Sequence, residues 1–145
     1  MRVREQVLGT VAHPRTKLGR NALGTKREQM LDIDGTRIFA EEQGDGPMVL
    51  LVHGFPELAF SWRHQLPALA DAGYRAVAIE QRGYGRSSKY WRPDAYRIDH
   101  LAGDLVGVVR ALGESQAVIV GHDWGRRWCG VRHGCIRRCF AGLSA

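Results

Sequence analysis

The stretch AVIVGHDWG, residues 117–125, decides how the rest of the chain is read. Its first four residues have the length and the Val/Ile content of a buried strand, and they run without a linker into Gly121-His122-Asp123-Trp124-Gly125. That pentapeptide has the form G-x-nucleophile-x-G, in which a strand turns sharply into a helix and exposes the central side chain on strained backbone. Gly121 and Gly125 matter as small residues because the chain must turn sharply from strand to helix there. Asp123 is therefore the candidate nucleophile, and the backbone N–H of Trp124 a candidate oxyanion donor. Aspartate is also a favoured helix N-cap, so plain capping is the competing expectation at Asp123.

Working towards the N-terminus, two features place this turn in a larger pattern. The run MVLLV (Met48–Val52) is continuously apolar, as expected of a strand covered on both faces. HGFPE, residues 53–57, follows it directly, at the strand end where ligands bind in open α/β sheets. Phe55 would supply the second oxyanion N–H, Gly54 and Pro56 shape the loop, and His53 reads as structural. Between the two motifs, Ser61 is expected to cap a helix in which Trp62, Leu66, Leu69 and Ala70 share a face, ending near Gly73. A strand over 74–79 follows. Leu101, Leu105, Val108, Val109 and Leu112 then mark an amphipathic helix that Gly113 ends. Upstream, Asp34-Gly35 joins two short runs as a hairpin. Strands alternating with helices in this way give an α/β fold with a mostly parallel, doubly wound sheet.

Charge divides the chain into three parts. Residues 1–29 hold seven Lys and Arg against two acids, 30–125 hold nine against thirteen, and 126–145 hold five against none. The net charge of +6 thus comes from the flanks, and the mildly acidic middle does not read as a nucleic-acid surface. Residues 1–29 lack period and read as a disordered basic extension, either a functional arm or the product of a misassigned start. No apolar run reaches the roughly 20 residues that span a bilayer, and no signal peptide is evident. All three cysteines lie at 129, 135 and 139, which leaves a reducing cytoplasm as the expected location.

Three stretches carry a resemblance: HGFPELAFSWRHQLPAL, AIEQRGYGRSSKY and GHDWG, which together span most of residues 30–125. They resemble the epoxide hydrolases of the α/β-hydrolase superfamily, bacterial ones in particular. The resemblance implies Asp123 as nucleophile on an epoxide carbon, the Phe55 and Trp124 amides as oxyanion hole, and no cofactor or metal. Its partner is a small-molecule epoxide; oligomeric state is not legible. Glu80 stands where that family usually has aspartate. Haloalkane and haloacetate dehalogenases use the same aspartate chemistry and form the alternative. The former tend to have asparagine at the Phe55 position, and the latter arginine at that of Trp124.

The family's later acid, histidine and cap-domain tyrosines find no counterpart in these residues, and none of the six histidines is expected to act as the base. The expected fold is accordingly the N-terminal part of an α/β-hydrolase fold, and a catalytically inactive remnant is a third expectation. Residues 126–145 show arginines on every face and three glycines, so the amphipathic helix that the elbow requires is not expected to continue there, and a change of reading frame after codon 125 would account for it. Cys129, His133, Cys135 and Cys139 match no standard zinc spacing.

Overall fold

The computed structural model describes residues 25–129 and 136–141. Strands β1 (Arg27–Ile33) and β2 (Thr36–Gln43) form the expected hairpin, with Asp34 and Gly35 both at positive φ (50° and 81°) as a two-residue turn of this kind requires. Then come β3 (Met48–Val52), α1 (Gln65–Asp71), β4 (Arg75–Glu80), α2 (Ile98–Ala111), β5 (Ala117–Gly121), α3 (Trp124–Cys129) and β6 (Ile136–Ala141). The strand order is β1-β2-β4-β3-β5-β6. β1 and β2 are antiparallel to their neighbours, while β4, β3, β5 and β6 are mutually parallel.

The continuous apolar runs follow from two covered faces. Leu50 and Val52 of β3, with Val77 and Ile79 of β4, pack with Leu101, Leu105, Val108 and Val109 of α2. Val49 and Leu51, with Ala76 and Ala78, point the opposite way, towards Leu66 of α1 and Ala59. Each fully buried aliphatic side chain contributes about 1.5–3 kcal/mol of hydrophobic stabilisation. The strand order reverses at β3, because α1 leads from β3 to β4 on one side and the chain returns past β3 to β5 on the other. Such a switch point opens a crevice beyond the carboxyl ends of the strands.

Three expectations need correcting. Ser61 caps no α-helix: residues Ala59–Trp62 form a 3-10 turn, and α1 starts only at Gln65, with His64 before it and no side-chain cap. Pro67 at the third position of α1 suits a helix beginning there, since its missing N–H falls among those left unpaired in a first turn. The N-terminal boundary also moves, since β1 begins at Arg27 and Lys26 and Arg27 make ion pairs with Glu41 and Glu42 of β2. Finally, the helix does continue past Gly125. A helical turn continues to Cys129, fixed by main-chain bonds from Gly125 N–H to His122 O and Arg126 N–H to Asp123 O that need no amphipathic face. β6 then pairs in parallel along β5. Residues 1–24, His133 and Cys135 lie outside the described residues.

Candidate active site

β3 and β5 are hydrogen-bonded neighbours, with Val52 opposite Gly121, so the loops that leave them start side by side. The His122 N–H donates to Val52 O (3.1 Å) and prolongs the ladder by one bond. Two sequence motifs 68 residues apart thereby meet at the strand ends: the Phe55 N–H donates to Asp123 Oδ2 at 3.1 Å.

Asp123 has φ 47°, the left-handed region that costs a non-glycine residue on the order of 1–3 kcal/mol. An N-cap residue ordinarily has extended backbone, so capping does not describe this geometry. Gly121 and Gly125 are not at positive φ; what they require is space. A Cβ on Gly125 would lie 2.3 Å from Val52 O and 2.7 Å from His53 O, and one on Gly121 would lie 2.6 Å from Gly125 C and O. Gly54 is equally confined, 2.6 Å from the Asp123 Cβ. Three glycines thus let three backbone segments approach closely enough for the Phe55 amide to reach the carboxylate. The Phe55 N–H first, and then the Trp124 N–H, hold the exposed Asp123 carboxyl below its ordinary range, so the group is anionic at neutral pH.

His53 is fully buried, as its structural reading requires. Its Nδ1–H donates to Gly54 O (2.7 Å), while Nε2 accepts the Gln81 N–H (3.1 Å), which fixes the tautomer. Burial pushes its pKa down and keeps the ring neutral. Pro56 follows a cis peptide bond from Phe55. His122 faces Glu57, with Nδ1 and Oε2 3.2 Å apart; His64 precedes α1 and His100 lies within α2.

Two groups at the site carry no role in the sequence reading. Glu57 Oε2 accepts the Gly54 N–H (3.2 Å) as well as facing His122, so one carboxylate ties the β3 loop to the β5 loop. Its place three residues after Gly54 is the only local signal, since the contact with His122 spans 65 residues. Tyr84 lines a cavity of about 430 Å³ together with Phe55, Tyr96, Leu101 and Trp124. The cavity opens beside Asp123, since Phe55 and Trp124, whose amides bind its carboxylate, form part of the wall. Glu80, the departure from the expected aspartate, accepts the Arg86 N–H (2.6 Å) and braces the loop that carries Tyr84.

A family model described as the alpha/beta hydrolase fold matches residues 47–125. Epoxide hydrolase B of Mycobacterium tuberculosis is 59% identical over 101 residues, which cover 67% of this chain and 28% of that protein. Epoxide hydrolase A of the same organism is 52% identical over 105 residues, covering 71% of this chain and 33% of the relative. Among solved structures, an epoxide hydrolase from an endophytic Streptomyces is 58% identical, with TM-score 0.71, over 72% of this chain and 31% of that one. An epoxide hydrolase from Vigna radiata is 40% identical, with TM-score 0.75, over 80% and 39%. The chain therefore spans about a third of the length of these relatives.

Proposed function

This chain belongs to the alpha/beta hydrolase fold family, and from that premise we propose that it carries the nucleophile elbow of an epoxide hydrolase, with Asp123 as the nucleophile. The observation that carries the reading is the Asp123 carboxylate on left-handed backbone, one oxygen accepting the Phe55 N–H at 3.1 Å. With Oδ2 held there, Oδ1 is the oxygen left to attack. It forms a bond to an epoxide carbon while the C–O bond of the ring breaks, and the released alkoxide takes up a proton. In the second half, water adds to the ester carbonyl and frees the diol. The charge that develops on Oδ2 then meets the N–H groups of Phe55 and Trp124, donors already in place before the charge appears.

Residues 30–125, extended to the start of β1 at Arg27, are the part assigned to this fold, with a small-molecule epoxide as partner and the cytoplasm as location. No helix among the described residues is long and apolar enough to cross a membrane. The test is incubation of the purified chain and its Asp123→Asn variant with styrene oxide and, separately, 1-chlorohexane, followed by intact-mass and peptide mass analysis. Addition of one epoxide equivalent on the peptide containing Asp123, absent in the variant and absent with the chloroalkane, is the expected result. Labelling that persists in Asp123→Asn would overturn the assignment, and reaction with the chloroalkane alone would favour dehalogenase chemistry.

A further inference from the structure

The cavity wall is unequal in rigidity. Phe55 and Trp124 overhang its mouth, 63% and 43% exposed. Tyr84 is half-buried and held from several directions. Its N–H donates to Gln81 O (2.9 Å) and its carbonyl accepts the Ser87 N–H (3.0 Å). Gly83 and Gly85 on either side have φ of 93° and 46°, which pinches residue 84 between two left-handed positions. Gly85 also lies against Glu80, where a Cβ would sit 2.1 Å from Oε2. The phenol ring stands edge-on to His53, with centroids 4.9 Å apart and planes at 76°. His53 is itself locked by hydrogen bonds at both ring nitrogens, so Tyr84 presents a fixed ring to the cavity.

Besides the Tyr84 hydroxyl, the polar side chains of the wall include Arg82, Tyr96 and Gln81, and these three are already engaged. Arg82 donates to both oxygens of Asp104 (2.7 and 2.9 Å), to Ala95 O (2.9 Å) and to Thr36 Oγ1 (3.2 Å). The Tyr96 hydroxyl donates to Tyr90 O and accepts the Tyr90 N–H. Gln81 Nε2–H donates to His53 O. Arg127 stacks 5.0 Å from the Trp124 ring but is not part of the lining. A substrate entering here meets aromatic rings, Leu101 and the nearby Asp123 carboxylate, and Arg82, the cation of the lining, is already paired with Asp104. Burial, and then the Asp123 charge, push the Tyr84 phenol up, so this ring also stays neutral.

We propose that Tyr84 is a specificity-determining residue whose braced ring selects neutral electrophiles bearing a flat aromatic substituent. The inference rests on the cavity being the substrate site of Asp123. An aromatic pair in offset or edge-to-face contact adds roughly a two- to tenfold preference beyond the area it buries.

The test is a ligand-observed NMR titration of the 145-residue protein with 1-phenyl-1,2-ethanediol and 1,2-hexanediol, two vicinal diols of the product class that need no chemistry to bind. The chain is expected to bind the phenyl diol more tightly. Tyr84→Leu should weaken the phenyl diol two- to tenfold and leave hexanediol unchanged, while Tyr84→Phe, which keeps the ring, should behave as the parent. Equal loss for both diols, no loss, or a parent that does not distinguish them overturns the proposal. Amide spectra report whether each variant is folded. If Tyr84→Leu is not, nuclear Overhauser contacts between the phenyl protons and the Tyr84 ring in the parent decide the matter, and their absence refutes it. A chain that holds the phenyl diol against Tyr84 yet gains no mass from styrene oxide keeps this inference and loses the nucleophile assignment. Covalent labelling of Asp123 without phenyl preference does the reverse.

Discussion

Replacing Gly125 by alanine tests whether close backbone approach, rather than backbone freedom, fixes this glycine. The added Cβ would meet Val52 O at 2.3 Å, His53 O at 2.7 Å and Val52 C at 2.9 Å, all main-chain atoms of β3 and its loop that cannot swing aside. Restoring an ordinary carbon–oxygen contact of 3.4 Å requires the α3 backbone to move from β3 by about 1.1 Å, and forced shifts of this kind cost roughly 1–3 kcal/mol. With only backbone to yield, we take the upper end, about 3 kcal/mol. Because alanine is the better helix former by up to ~1 kcal/mol, the proper control is Gly103→Ala within α2, where an added Cβ meets nothing within 4 Å.

In urea denaturation, Gly103→Ala should therefore be stabilised by about 0.5–1 kcal/mol and Gly125→Ala destabilised by about 2–3 kcal/mol, a difference of about 3 kcal/mol between two identical substitutions. At roughly 2–5 °C per kcal/mol for a chain of this size, Gly125→Ala should melt on the order of 5–15 °C lower than the parent. The same shift draws the Phe55 N–H, on the β3 loop, from Asp123, so its amide proton should move upfield as that hydrogen bond lengthens. If Gly125→Ala melts within about 2 °C of the parent, the close approach is not a constraint and the reasoning fails.

Asp104→Asn leaves the buried Arg82 guanidinium without a charged partner and should cost about 3–5 kcal/mol by urea denaturation, whereas the double variant Arg82→Met/Asp104→Leu should recover most of it. Glu57→Ala frees the Gly54 N–H and His122, and is expected to slow styrene oxide labelling of Asp123 by roughly tenfold, with Glu57→Gln retaining the Gly54 bond and most of the rate; equal rates in all three would show that Glu57 does not position the loop. Burial depresses the folded pKa of His53, so the unfolded chain binds the extra proton first. The stability His53 contributes is complete above its unfolded value near 6.5 and is lost as pH falls through the folded value. Denaturation midpoints should thus drop between pH 7 and pH 5 in the parent and drop less in His53→Asn.

What the sequence shows plainly is whatever is local. The apolar runs 48–52 and 117–120 announce strands because a strand covered on both faces has no polar side, and Asp34-Gly35 announces a hairpin because both positions need positive φ. The two motifs point to one site because both sit at ends of parallel strands, and the switch at β3 does bring them together. Non-local consequences are hidden. Neither the Glu57–His122 contact nor the edge-on packing of Tyr84 against His53 can be inferred from residue types 65 and 31 positions apart. The helical turn after Asp123 was illegible because main-chain bonds and the seat of Gly125 on β3 create it, not an apolar stripe.

The glycines of GHDWG show best how a motif can hide its physical reason. Neither Gly121 nor Gly125 is at positive φ, and the left-handed residue is Asp123, the central position that the motif marks as strained. A glycine at 123 would relieve that strain and remove the carboxylate with it. Glycine at 121 and 125 instead removes the side-chain atoms that would keep α3 from β3, and the Phe55 amide reaches the carboxylate only because of that proximity. Strain therefore sits on the one residue whose side chain the site needs, and the neighbouring glycines supply the close packing that holds it there.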